Sequence, residues 1–225
     1  MSIGILIADD QALVRRGFRM ILEIEPDLEV LGDAIDGDDA IAQARILQPD
    51  IVLMDVRMPG TDGIEATRRI VADPAISAGT RVVMLTTFDM DQYVYDALQA
   101  GASGFLLKDV QPELLVSGIR SVHAGESLLA PSVTRRMITA FLQRAPVTPV
   151  STERFTRLTP REQDILWLLA RGLTNAEIAE TLFVSETTVK THVGRVLAKL
   201  ELRDRVQAVI YAYEHGVAEP APAQD

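Results

Sequence analysis

Through the first half of the chain, short apolar runs alternate with longer segments whose apolar residues recur at helical spacing. The runs cover residues 3–8, 28–31, 51–54, 82–87 and 105–107, and their length and near-continuous apolarity predict strands. After Gln11, residues Leu13, Val14, Phe18, Ile21 and Leu22 form a helical stripe, and comparable segments run over about 38–47, 63–72, 91–100 and 111–124. Five strand–helix units in succession predict a parallel sheet covered on both faces, and right-handed crossovers make it doubly wound. Such a fold binds ligands beyond the carboxyl ends of its strands.

The pattern changes after residue 125. Residues 131–141 read as a helical segment containing Arg135 and Arg136, and the following Pro/Thr/Ser-rich stretch reads as a linker ending near Thr156. Four helices follow. The first two open with Thr159-Pro-Arg-Glu162 and Thr174-Asn-Ala-Glu177, the signature of capping boxes, with Pro160 at the first helical position. The segments 174–182 and 185–200 are close enough to form a helix-turn-helix, and Ser185 is placed to cap the second. On that second helix Val189, Val193, Val196, Leu197 and Leu200 share one face, with Thr187, Thr191, Gly194 and Arg195 opposite, flanked by Lys190 and Lys199. The last helix carries Val206, Val209, Ile210 and Tyr213 in a single stripe, for which core packing is the simplest account, as it is for Trp167. The final residues 218–225 are too polar and proline-rich to pack.

The chain of 225 residues thus divides into a first domain (1–125), a linker with a helical segment (126–156), a four-helix domain (157–217) and a tail (218–225). Charge follows this division: residues 1–125 carry a net −10, whereas residues 151–217 are neutral. The overall acidity therefore does not exclude nucleic acid, because the second domain can still present a basic face. With no cysteine, the chain has no disulfide, thiolate metal site or cysteine nucleophile. The three histidines, His123, His192 and His215, are too scattered to suggest a metal site. No run of 18 apolar residues and no basic leader occurs, so a cytoplasmic protein without a membrane partner is expected.

Asp9 and Asp10 follow the first strand, Asp55 ends the third, Thr86 lies at the end of the fourth and Lys108 follows the fifth. Adjacent strand ends lie about 5 Å apart, so three carboxylates meet at one rim and repel unless a cation neutralises them. Oxygen ligands of this type suit Mg²⁺ better than zinc or copper. Taken singly, Asp10 could merely cap the first helix and Lys108 could be a solvated terminus. Taken together, they have no packing explanation.

Asp9-Asp10, Asp55 within D-V-R-M-P-G-T-D-G, Thr86 within M-L-T-T-F and Lys108 within G-A-S-G-F-L-L-K-D resemble a response-regulator receiver domain over roughly residues 3–122. The resemblance implies a flavodoxin-like fold in which Asp55 accepts a phosphoryl group from a phosphohistidine on a sensor histidine kinase. It further implies Mg²⁺ held by Asp10, Asp55 and the backbone carbonyl of Arg57, with Asp9 acting through water. Lys108 and Thr86 would hold phosphoryl oxygens, Thr86 and Phe105 would form the conformational switch, and Arg57 and Phe88 would tune the lifetime of the phosphoryl group.

The stretches L-T-P-R-E-Q-D-I-L, G-L-T-N-A-E-I-A and V-S-E-T-T-V-K-T-H-V resemble a LuxR-type DNA-binding domain, and the two motifs in this order resemble the NarL/FixJ family of transcription regulators. By that resemblance Lys190 and Thr191 read bases, while Asn175, Thr187, Thr188 and Arg195 lie nearer the phosphates of promoter DNA. Arg203 and Arg205 could reach the backbone or merely solvate the last helix. A homodimer on activation is implied, with the last helix supplying a contact. An aspartate-nucleophile phosphatase would need a second aspartate where Arg57 stands. A binding module that never turns over phosphate is a third reading, disfavoured by the complete acidic cluster.

Overall fold

The computed structural model describes residues 2–86, 91–125 and 154–217, without the side chains of 91, 92 and 95. The chain forms two compact units, Met1–Leu128 and Leu129–Asp225. The expected helix over 131–141 with Arg135 and Arg136, Phe88 and the tail lie outside the described residues.

In the first unit, strands β1 (Ile3–Ala8), β2 (Leu28–Ala34), β3 (Ile51–Asp55), β4 (Arg81–Thr86) and β5 (Gly104–Leu107) alternate with helices α1 (Ala12–Leu22), α2 (Gly37–Leu47), α3 (Gly63–Ala72), α4 (Asp91–Gln99) and α5 (Pro112–His123). All pairings are parallel, in the order β2-β1-β3-β4-β5. The strand order reverses between β1 and β3, and at that switch point a crevice opens beyond the carboxyl ends. β1 and β3 are buried along their whole length, as their unbroken apolar runs require when both faces are covered. Ile5, Ile7, Leu53 and Leu85 pack there with Phe18 and Leu22 of α1 and Leu115 and Ile119 of α5.

The α1 stripe is narrower than its sequence predicts. Phe18 and Leu22 are buried, but Leu13 is 83% exposed. Val14 packs partly against the core, and Leu13 precedes it by 100° of helical turn, which carries it off the inward face. β2 runs three residues past its expected end, to Ala34, because its pairing with β1 continues through the polar pair Gly32 and Asp33.

The second unit comprises α6 (Pro160–Ala170), α7 (Asn175–Leu182), α8 (Glu186–Leu200) and α9 (Arg205–Glu214), preceded by a short 3-10 turn, Phe155–Arg157. Thr159 with Glu162 and Thr174 with Glu177 form complete capping boxes, and the Ser185 side chain accepts from Thr188 N–H. Ile165, Leu166, Leu169, Ile178, Val189, Val196, Leu200 and Val206 are fully buried. The α9 stripe of Val206, Val209, Ile210 and Tyr213 is buried, with exposures of 8% or less, and Tyr213 Oη donates to Ala170 O of α6. Trp167 departs from expectation: it is 44% exposed, with the Arg171 guanidinium 4.6 Å from its ring centroid. No helix among the described residues is long and apolar enough to cross a membrane.

Candidate functional site

The acidic rim forms where β1 and β3 end side by side, with Ala8 paired to Met54 one residue before Asp9 and Asp55. Asp9 is fully buried and Asp55 is 4% exposed, whereas Asp10 faces solvent. Carboxylate oxygens of the three lie within 4.8 Å of one another. Asp10 does not cap α1: the N-cap is Gln11, which makes no side-chain cap bond, and Gln11 N–H donates instead to Asp9 Oδ1 at 2.8 Å. The simplest structural explanation for Asp10 is thereby removed.

Lys108 enters from the end of β5, where its N–H donates to Thr86 O at 2.8 Å and so ties the two strand ends together. Its ammonium lies 2.7 Å from Asp9 Oδ2 and 2.8 Å from Asp55 Oδ2. Burial opposes the charge on Lys108, but the hydrogen bonds and charges of Asp55 and Asp9 outweigh it and hold its pKa above that of an ordinary lysine. Burial likewise pushes the Asp55 carboxyl up; Lys108 counteracts this, and the charge of Asp9 adds to the rise. One ammonium among three carboxylates leaves excess negative charge in a partly closed crevice, and the donors are all hard oxygens. This set fits a divalent cation of the Mg²⁺ type.

The position of Asp55 is fixed from below by a glycine that the sequence reading passed over. Gly63 is the first residue of α3, after Asp62, whose side chain accepts from Glu65 N–H. A Cβ on Gly63 would lie 1.9 Å from the Asp55 carbonyl oxygen. Only glycine lets α3 begin this close to the end of β3, and its place in the D-V-R-M-P-G-T-D-G stretch, one residue past a capping aspartate, was the available signal.

Beside the crevice, Arg57 N–H reaches Asp55 Oδ1 at a long 3.4 Å. The Arg57 side chain turns to α4, where it donates to Tyr93 Oη at 3.2 Å and lies 5.6 Å from the ring centroid. Thr86 and Phe105 are both buried, 6% and 5% exposed. The structure thus brings Asp9, Asp10, Asp55 and Lys108 into one cluster and sets Thr86 at the neighbouring strand end.

In the second unit α8 presents Thr187, Lys190, Thr191, Gly194 and Arg195 to solvent, while Val189, Val193, Val196 and Leu200 are buried. Lys190 lies 3.8 Å from Glu186 one turn earlier, and Thr191 Oγ1 donates to Thr187 O. Thr188 is half-buried, its hydroxyl 2.8 Å from that of Ser185. Lys199 does not flank this face as expected. It turns inward to Glu162 Oε2 at 2.6 Å, and Glu162 is 2% exposed. Burial alone would raise the Glu162 pKa, but Lys199 and the backbone and hydroxyl of Thr159 bring it down to about 2. Arg205 is buried rather than solvated, donating to Leu173 O and to Asn175 Oδ1.

The family profile for the response regulator receiver domain matches residues 5–120, and that for bacterial regulatory proteins of the luxR family matches residues 156–212. The transcriptional regulatory protein YxjL of Bacillus subtilis is 44% identical over 218 residues, spanning 97% of this chain and 98% of that relative. The response regulator VraR of Staphylococcus aureus is 41% identical, spanning 96% and 99%. Among solved structures, the response regulator ChrA of a heme-sensing two-component system is 33% identical, covers 96% of this chain and 98% of its own, and superimposes with a TM-score of 0.52. The crevice of carboxylates at the carboxyl ends of a parallel sheet and, in the second unit, the capped helix-turn-helix therefore belong to a two-component response regulator, a transcription regulator with an N-terminal receiver domain and a LuxR-type DNA-binding domain.

Proposed function

We propose that Asp55 accepts a phosphoryl group from a phosphohistidine on a sensor histidine kinase, and that the phosphorylated chain dimerises and binds promoter DNA. In this reading residues 1–125 are the phosphoacceptor domain, 126–156 a linker, 157–217 the DNA-binding domain and 218–225 a tail. The observation that carries the proposal is the Asp9, Asp10 and Asp55 cluster within 4.8 Å, with Lys108 bridging two of its members. An Asp55 carboxylate oxygen attacks phosphorus, the bond from phosphorus to the histidine nitrogen breaks, and the imidazole leaves with its electron pair; the product is an acyl phosphate. Asp10, Asp55 and the Arg57 carbonyl would hold Mg²⁺ directly and Asp9 would act through water. When bound, the ion neutralises charge on the carboxylates and the phosphoryl oxygens.

The residues of the chain do the rest by position. Lys108, already fully charged between two carboxylates, follows the new negative charge onto a phosphoryl oxygen. Thr86 supplies a hydroxyl to another, and Phe105, paired with Met84 two residues before Thr86 in the β4–β5 ladder, fills the space as Thr86 moves. On the DNA side, the exposure of Lys190 and Thr191 supports them as base readers, with Thr187, Thr188, Arg195 and Asn175 toward the phosphates.

The test is intact mass after incubation with a small-molecule phosphodonor, for wild type and Asp55→Asn, with and without Mg²⁺. Uptake of one phosphoryl mass by wild type alone, and only with Mg²⁺, is expected. No uptake, also with a stable phosphoryl mimic, would favour a module that works without phosphate.

A further inference from the structure

Arg205 opens α9, yet its guanidinium serves another element. It is 9% exposed, and it donates through Nη2 to Leu173 O and through Nη1 to Asn175 Oδ1 at 2.8 Å. Both acceptors belong to the junction between α6 and α7, thirty or more positions away in sequence. The charge is shared locally with Glu177, whose carboxyl is held low by the Thr174 backbone and hydroxyl first and by Arg205 last.

A guanidinium has only donors, so it accepts the oxygen side of an amide and rejects the nitrogen side. The Asn175 amide therefore has one permitted orientation. Its oxygen is occupied by Arg205, and its two Nδ2 hydrogens point away from the guanidinium. Asn175 is half-buried at the start of α7, the helix that precedes the reading helix α8. We infer that Arg205 is a positioning residue for DNA binding: it holds Asn175 with its amide N–H donors turned outward to a phosphate, and does not touch DNA itself. The inference rests on the proposed DNA-binding role of Asn175 and assigns to Arg205 the ordering of that contact before the duplex arrives.

The test uses the full chain treated with phosphodonor and Mg²⁺ and a random-sequence duplex, because phosphate contacts are independent of sequence. Binding is titrated at several salt concentrations for wild type, Asn175→Ala, Asn175→Asp, Arg205→Met and the Asn175→Ala/Arg205→Met double variant. A hydrogen bond to a charged partner corresponds to about a tenfold or greater effect on affinity, so Asn175→Ala and Arg205→Met are each expected to weaken binding about tenfold. The double variant is expected to be no weaker than either single one. The slope of affinity against salt should stay at its wild-type value for Arg205→Met, since a cation that itself neutralised a phosphate would lower the slope by about one.

Asn175→Asp guards against a folding artefact: it keeps an acceptor for Arg205, should melt no lower than wild type, and should bind at least as weakly as Asn175→Ala. Multiplicative losses in the double variant, a reduced salt slope for Arg205→Met, or wild-type binding by Asn175→Asp would overturn the inference while leaving the DNA-binding reading intact. Failure of the wild-type chain to bind duplex would overturn both.

Discussion

Replacing Gly63 with alanine tests whether the position of Asp55, the proposed nucleophile, depends on an absent side chain. The new Cβ would lie 1.9 Å from the Asp55 carbonyl oxygen, 2.9 Å from its carbonyl carbon and 3.0 Å from Met54 Cγ. Approaches under 3.0 Å are essentially not seen for real Cβ atoms, so β3 and α3 must part by about 1.1 Å or more. The obstacle is backbone and cannot rotate away. Overpacking of this kind costs about 1–3 kcal/mol, and the upper end is expected here. For a domain of this size that corresponds to a melting temperature lower by about 10 °C. A reacting group misplaced by about 1 Å loses up to about a hundredfold in rate, so phosphoryl uptake from a small donor should fall on that scale. Far-ultraviolet circular dichroism reads the melt and intact mass reads uptake. The fluorescence of Trp167, the single tryptophan, reports the other unit and should not shift. Gly17→Ala is the control, since nothing lies within 4 Å of its added Cβ. If Gly63→Ala melted within about 1 °C of wild type and took up phosphate at the wild-type rate, the close approach would not govern the site.

Other outcomes follow from the same geometry. Glu162 has its folded pKa lowered from 4.5 to about 2, so its contribution is complete above about pH 4.5 and is lost as pH falls toward 2. The Trp167-detected melting temperature should drop over that range, and Glu162→Gln should be destabilised at pH 7 with a flatter acid limb. Mg²⁺ at tenfold over its dissociation constant should stabilise the receiver by about 1.4 kcal/mol, visible as a rise in melting temperature; Asp10→Asn should abolish the rise, and an equal rise in that variant would remove Asp10 from the metal site. Gly194→Ala in α8 meets nothing within 4 Å, so the helix should gain about 1 kcal/mol, read by urea denaturation followed at Trp167.

Much of this was legible in the sequence because a parallel sheet converts sequence position into spatial neighbourhood. Asp9, Asp10, Asp55 and Lys108 each follow an apolar run, and strands that end at one edge bring their next residues together. The capping boxes at Thr159 and Thr174 were legible for a similar reason, as purely local chemistry. What escaped depends on contacts between distant segments. Nothing near Lys199 says that it turns to Glu162, 37 residues earlier, and a lysine at the edge of a basic face reads as solvated. Arg205 reads the same way until the α6–α7 junction is folded against it. Leu13 and Trp167 escaped for the opposite reason: periodicity marks apolar residues but does not fix the centre of the stripe, and both lie off it. Gly63 shows the limit from another side, since the residue's role is the space it leaves for a carbonyl on another element.

The ion pair between Lys199 and Glu162 has a consequence for association. It fastens the last turn of α8 to the first turn of α6, while Ser185 closes the opposite end of the helix locally. The helix is thus held at both ends and along its buried face at Val189 and Val193, so that Lys190 and Thr191, the proposed base readers, stand on its solvent side already ordered. A duplex meeting it has little folding to induce. Differences in affinity between DNA sequences then report hydrogen bonding and counterion release at the contact, and the heat-capacity change on binding should be that of surface burial alone.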